Sequence, residues 1–370
     1  MKIIQKITVF LLILLSLQLK AQNSLFIDKY FVESAKEWVR VAKMLQQDSH
    51  VDNVKWEKLF MTDGYRYYLD RKDSAQMKQW VKEAMIVAFD KNRKKEADSI
   101  AAMPINLNAP DIIRILITQN FYRLNHKLNN IAACLDTIDF VGILEQAHQR
   151  TQAFLPASAY ENLPELNNIY IIGTIPDANV RGKHVFLDLS LLLDFTTEQL
   201  INVLAHEFHH NYRDMKIPGA LKNPLLNVIN SMHAEGIADL IDKNGIPFTH
   251  LGAYGSEMLE LYTKDFLNTP QTLKQIDSIV QSYLKNEINY ETYAQIAKMI
   301  KFGGHTCGFY MALLIKNNGD IQELIDSYDN PVIFLQLYNN AATKSDREHV
   351  FSPEFMLHIE QLWKEYIMMK

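Results

Sequence analysis

The sequence predicts a mostly α fold with a small antiparallel β-sheet (α+β), and three observations carry that prediction. Apolar residues recur at helical spacing through residues 26–160 and again through 251–370. Only two short β-branched runs, at 168–175 and 184–190, read as strands. Between the strands and the C-terminal helices lie two more amphipathic helices, the first opened by a capping box. With 370 residues, 48 % of them apolar, the chain can bury a substantial core, which excludes general disorder.

Taken in order, the chain opens MKIIQKITVFLLILLSLQLKAQNS. Lys2 and Lys6 precede an apolar run from Ile7 to Leu15, weaker to Leu19, and Ala21 offers a small residue for cleavage. This reads as a signal peptide over residues 1–21, with an apolar part too short to span a bilayer comfortably. The alternative is an uncut membrane anchor. The expected location is secreted or periplasmic, with no stable membrane insertion after cleavage. Residues 22–163 form an N-terminal helical region: Phe31, Ala35, Trp38, Val39, Val41, Ala42 and Leu45 share one helical spacing, and Met77, Trp80, Val81, Ala84, Met85 and Ala88 another. KNRKKEAD at 91–98 reads as a solvated helix face. Further helices are expected after Asp111 and from Ile138 to Phe154.

The texture changes near Pro164, where residues 164–320 form the expected catalytic region. Asn168–Ile175 and His184–Ser190 read as strands that pair as an antiparallel hairpin across a long turn, Pro176–Asn179 and Arg181–Lys183. Thr196 with Gln199 caps the next helix, which runs to about Tyr212. Pro218, Gly219 and Asn223-Pro224 break it, and a second helix runs from Leu225 to about Asp242, ended by Asn244-Gly245 and Pro247. Residues 321–370 are a C-terminal helical region packed with the catalytic one.

The helix after Thr196 carries His206-Glu207-Phe208-His209-His210, an H-E-x-x-H motif. Four residues at ~100° each leave His206 and His210 about 40° apart on one face, so both rings reach one metal ion. Glu207 lies beside that stripe, placed to reach a water on the metal rather than the metal itself. His209 faces elsewhere and reads as a packing or surface residue rather than a ligand.

A hydrolytic zinc site takes three protein ligands and leaves a position open for water. A third histidine six residues beyond the motif would need Gly at 213 and His at 216, where the chain has Arg213 and Lys216. The second helix instead offers Glu235 and Asp239, spaced i, i+4 on one face. Glu235 would be the third ligand, and Asp239 would accept from the far ring nitrogen of His206. His233 is the rival ligand, but it projects about 160° from Glu235.

VLAHEFHHN at 203–211 followed by AEGIADL at 234–240 resembles the active-site core of the gluzincin metallopeptidases, the thermolysin-like group. More of the chain, through WEKLFMTDGYRYYLD at 56–70 and GHTCGFYMALLIKNNG at 304–319, resembles the DUF5700 family of zinc-dependent peptidases. The resemblance spans most of residues 26–340. It implies a zincin-like fold with the active-site helix beside a short sheet, and His184–Ser190 is the expected edge strand, where a peptide adds. It implies Zn2+ as cofactor, a peptide or protein substrate, Glu207 as general base, and an oxyanion donor for which His305 and Tyr310 are candidates. The chain lacks G-x-M-E-N, the amine-anchoring motif of one gluzincin aminopeptidase group.

Two other functions stay open at this point: a zinc hydrolase of a non-peptide amide or ester, and a helical binding protein outside the cytoplasm with a structural or inactive metal site. An intact Glu207 and the lack of a fourth ligand both argue against the second. The formal charge is −5, and loss of residues 1–21, which hold Lys2, Lys6 and Lys20 and no acid, takes it to −8. An acidic chain does not suggest nucleic acid as a partner. Cys134 and Cys307 read as small buried hydrophobes, and a disulfide between them stays open, as does the oligomeric state.

Overall fold

The computed structural model describes residues 29–48, 50–70, 73–160, 168–243, 248, 255–345 and 348–370. The expected signal peptide, the boundary at 163/164 and the helix stop at 244–247 lie outside them.

The architecture is α+β, as the pattern predicts: many helices around one small sheet. The sheet is mixed rather than antiparallel. Strands β1 (Lys29–Phe31), β2 (Asn168–Ile172), β3 (Ala178–Arg181) and β4 (His184–Asp188) lie in the order β1-β2-β4-β3. The expected hairpin partners, β2 and β4, are parallel neighbours, with Tyr170 opposite Phe186. The reason is β3. This short run has weak strand propensity, yet it pairs antiparallel with β4 from Ala178–Leu187 to Arg181–His184. Gly182, at φ 58°, opens the two-residue turn between them, a conformation that favours glycine. The chain therefore leaves β2, passes to the far edge as β3 and returns as β4 between the two. His184–Ser190 is an interior strand, not the edge, and the edge strand beside the H-E-x-x-H helix is β3.

The apolar face of helix α1 (Glu33–Gln46) explains the N-terminal packing. Trp38 is fully buried, edge-on to Phe89 of α2 (Ser74–Phe89) and Phe121 of α3 (Ile112–Leu124). Tyr65 donates from its hydroxyl to the Gly173 carbonyl at 2.7 Å, which ties this layer to the end of β2. Helix α4 (Phe140–Gln152) packs on α5 (Thr197–Asp214). Behind α5 lie α6 (Pro224–Asp242), α7 (His305–Asn318) and α8 (Pro331–Ala342), and α9 (Pro353–Met369) closes the chain. The 91–98 charge run lies on exposed helix surface, and Cys134 and Cys307 are free thiols. Among the described residues, no helix is long and apolar enough to cross a membrane.

Candidate active site

Helix α5 begins where the sequence places it. Thr196 Oγ1 accepts from the Gln199 amide, and the Gln199 side chain accepts from the Thr196 amide. Val203, Leu204, Ala205 and Phe208 then bury the helix and carry His206 and Glu207 inside with them. Helix α6 starts at Pro224, with the Asn223 side chain accepting from the Leu226 amide at 3.0 Å. The two helices pack against each other and bring Glu235 opposite the H-E-x-x-H face.

Three atoms converge there. His206 Nε2 and His210 Nε2 are 3.0 Å apart, and Glu235 Oε2 lies 3.4 Å from the first and 3.2 Å from the second. Ligands bound at ~2.0–2.1 Å to a tetrahedral zinc stand roughly 3.3 Å apart, so the triangle fits that ion. Glu235 Oε2 supports the same reading. Imidazole nitrogens surround this buried oxygen, yet none is aligned to hydrogen-bond it. Burial opposes the ionised form of Glu235, but His210 and His305 outweigh it and hold the carboxyl well below its usual range.

A larger set, His206, Glu235, Asp239 and His305, also has ligand atoms within 4.8 Å of one another. Asp239 in that set is already engaged. Its Oδ1 and Oδ2 lie 2.9 and 3.1 Å from His305 Nδ1, and Lys243 and Tyr262 also donate to it. The nearest partner of His206 Nδ1 is instead Asp242 Oδ1 at 3.2 Å, with Asp239 at 3.4 Å. Burial alone would depress His206, yet Asp242 and Glu235 raise it well above the usual imidazole range. Glu207 is buried and raised, first by desolvation, with His206 and His210 pulling the other way.

His305 reaches the cluster because α6 and α7 touch backbone to backbone. A Cβ on Gly308 would stand 2.0 Å from the Met232 carbonyl oxygen, and one on Gly236 would stand 2.5 Å from that of Gly308. Gly304, at φ 109°, turns the chain into α7 just before His305.

The sequence profile of a family described as "Putative zinc dependent peptidase" (DUF5700) matches residues 56–347. The chain belongs to this family. No curated protein and no solved structure matches it. The DUF5700 family is described as zinc dependent, and this member supplies a His/Glu/Asp group that can hold the ion.

Of the residues singled out by sequence, this DUF5700 chain brings His206, Glu207, His210, Glu235, Asp239 and His305 together. Tyr310 is placed elsewhere: its hydroxyl donates to Glu348 at 2.9 Å and its ring packs on Phe266. His233 points away from the triangle, stacked on Phe334 and 3.3 Å from Arg213. Two residues escaped the sequence reading. Asp242 stands three positions after Asp239, and that spacing is the signal that could have found it. Asp177, just before β3, is pushed up to about 7 by burial and then by the charge of Glu207. Only the path of β3 along α5 reveals it.

Proposed function

We propose that this protein is a zinc peptidase of the gluzincin type, exported through its signal peptide, with His206, His210 and Glu235 as zinc ligands. The observation that carries the reading is the triangle of ligand atoms at 3.0, 3.2 and 3.4 Å. Zinc, when bound, supplies a Lewis acid for the scissile carbonyl and lowers the pKa of a bound water to about 7.

The protein groups do the rest. Glu207 takes the proton of the attacking water and returns it to the leaving amine. Desolvation strengthens it as a base, while His206 and His210 keep it ionisable. His305 is fixed through Nδ1 on Asp239, and although burial opposes it, Asp239 and Glu235 raise it above the usual imidazole range. In that protonated form Nε2 also carries a proton and donates to the developing oxyanion. Strand β3 pairs only with β4 among the described residues, and an extended peptide would add along its other side. A zinc hydrolase acting on another amide or ester would use the same groups, and a panel of peptides and small esters separates the two.

The test pairs metal content with turnover. Wild type and Glu207→Gln are expected to hold about one zinc each, while Glu207→Gln loses at least ~100-fold in peptide cleavage. Glu235→Ala is expected to hold much less metal. Wild type that stays metal-free after zinc supplementation would overturn the reading.

A further inference from the structure

Helix α5 carries a second polar layer that the proposed chemistry does not use. Arg213, His209 and His233 are each 0 % exposed. His209 and Arg213 sit one turn apart on α5, and His233 of α6 meets Arg213, with Phe334 of α8 stacked on its ring. Arg213 donates from Nε to the Tyr328 carbonyl at 3.0 Å and from Nη2 to Asn230 Oδ1 at 2.6 Å. Its Nη2 also stands 3.3 Å from His233 Nδ1.

Counting donors and acceptors gives an imbalance. A guanidinium has no acceptor, so His233 Nδ1 must accept, and the ring proton sits on Nε2. That Nε2 has no partner among the described residues, and neither does Arg213 Nη1. Both ring nitrogens of His209 lack one too, and every tautomer leaves a proton on one of them. Three buried donor nitrogens therefore have no acceptor among the described residues. The guanidinium among them contacts no carboxylate among the described residues. Asp214, Asp329 and Glu235 act on it only from farther off. Zinc bound by Glu235 would cancel part of even that compensation. A buried charge with unmet donors is costly. A water can accept two of these donors but brings no countercharge.

We propose that Arg213, His209 and His233 form a buried binding site for a small monovalent anion of the chloride type, behind the zinc-bearing face of α5. The anion accepts from all three donors and neutralises the guanidinium. Anion and zinc then favour each other, and by linkage the effect is reciprocal. The anion site stands on its own geometry; only the coupling rests on the zinc reading.

The experiment uses the full chain and bromide as the probe. Crystals grown in bromide are expected to show an anomalous peak bounded by Arg213 Nη1 and the rings of His209 and His233. In solution, thermal unfolding in sodium bromide against sodium gluconate at equal ionic strength should show a saturable rise in Tm. His209→Phe keeps the arginine and should weaken the bromide effect at least tenfold. Arg213→Gln should abolish it, and if that variant does not fold, the peak and His209→Phe still decide. A water at the position with no anomalous signal, or an adventitious ion only at the surface, would overturn the site. Bromide affinity equal in zinc-loaded and chelated protein would overturn the coupling, even with the peak in place.

Discussion

At His206 the two ring nitrogens do different work, and the residues behind them decide how well. Nε2 belongs to the ligand triangle, and Nδ1 faces Asp242 at 3.2 Å. The sequence reading gave this second role to Asp239, because i, i+4 spacing from Glu235 puts Asp239 on the same face. In the structure Asp239 also meets His305 and Lys243 while standing 3.4 Å from His206 Nδ1, and Asp242 stands slightly nearer at 3.2 Å. The H-E-x-x-H face and Glu235 were legible because each follows from helical spacing and a ligand count. The sharing of Asp239 with His305 was not, since it depends on α7, over sixty residues further along. Tyr310 is directed elsewhere for a simpler reason. Five residues past His305 it stands about 140° round the helix, and so it meets Glu348 instead. A partner that orients a ligating histidine is worth about 10–100-fold in metal affinity. Asp242→Ala should therefore weaken zinc by that factor in chelator competition. Unchanged affinity would return the orienting role to Asp239.

Among the elements, the contact of α6 with α7 decides where His305 sits. The spacing of Gly236 and Gly308 lets the two backbones meet, and no side chain fits between them. A methyl at Gly308 would press on the Met232 carbonyl, which cannot swing aside as a side chain would. Gly308→Ala should destabilise the fold by about 1–3 kcal/mol, the usual cost of overpacking. It should also move His305 while leaving α5 and Glu235 in place. The expected result is a lower Tm and a lower kcat with zinc content retained. A variant with full kcat would show that His305 needs no such placement. Element types were largely legible, because capping boxes and apolar periodicity are local. Strand β3 was not: Ala178-Asn179-Val180-Arg181 reads as turn material, and only its pairing with β4 makes it a strand. Missing it reversed the direction of β4 relative to β2.

Over the whole molecule, two ties join distant parts of the chain, and each answers to a different solution variable. The first joins α9 to the helix Thr269–Leu284. Asp277 accepts from His349 Nε2 at 3.0 Å, from the Ser352 amide at 3.0 Å and from Ser352 Oγ at 2.7 Å. Burial pushes this carboxyl up, but those donors outweigh it and hold it below its usual value. A depressed carboxylate adds stability above its unfolded pKa, about 3.9, and that stability drains away as pH falls through the folded value. Asp277→Asn should thus be less stable at neutral pH and lose less on acidification, in Tm measured from pH 7 down to 2.5. Parallel curves would rule the tie out as an acid-sensitive one. The second tie is the metal. Its proposed ligands come from α5 and α6, around which the sheet, α4 and α7 all pack. An ion that binds only the folded state adds about 2.7 kcal/mol at a hundredfold excess over Kd. Chelation should therefore lower the Tm of wild type by several degrees, and added zinc should restore it. Glu207→Gln should keep that shift, because the base is not a ligand, and Glu235→Ala should lose it. A wild-type Tm indifferent to both chelator and zinc would mean that the folded state does not hold the ion in this triangle.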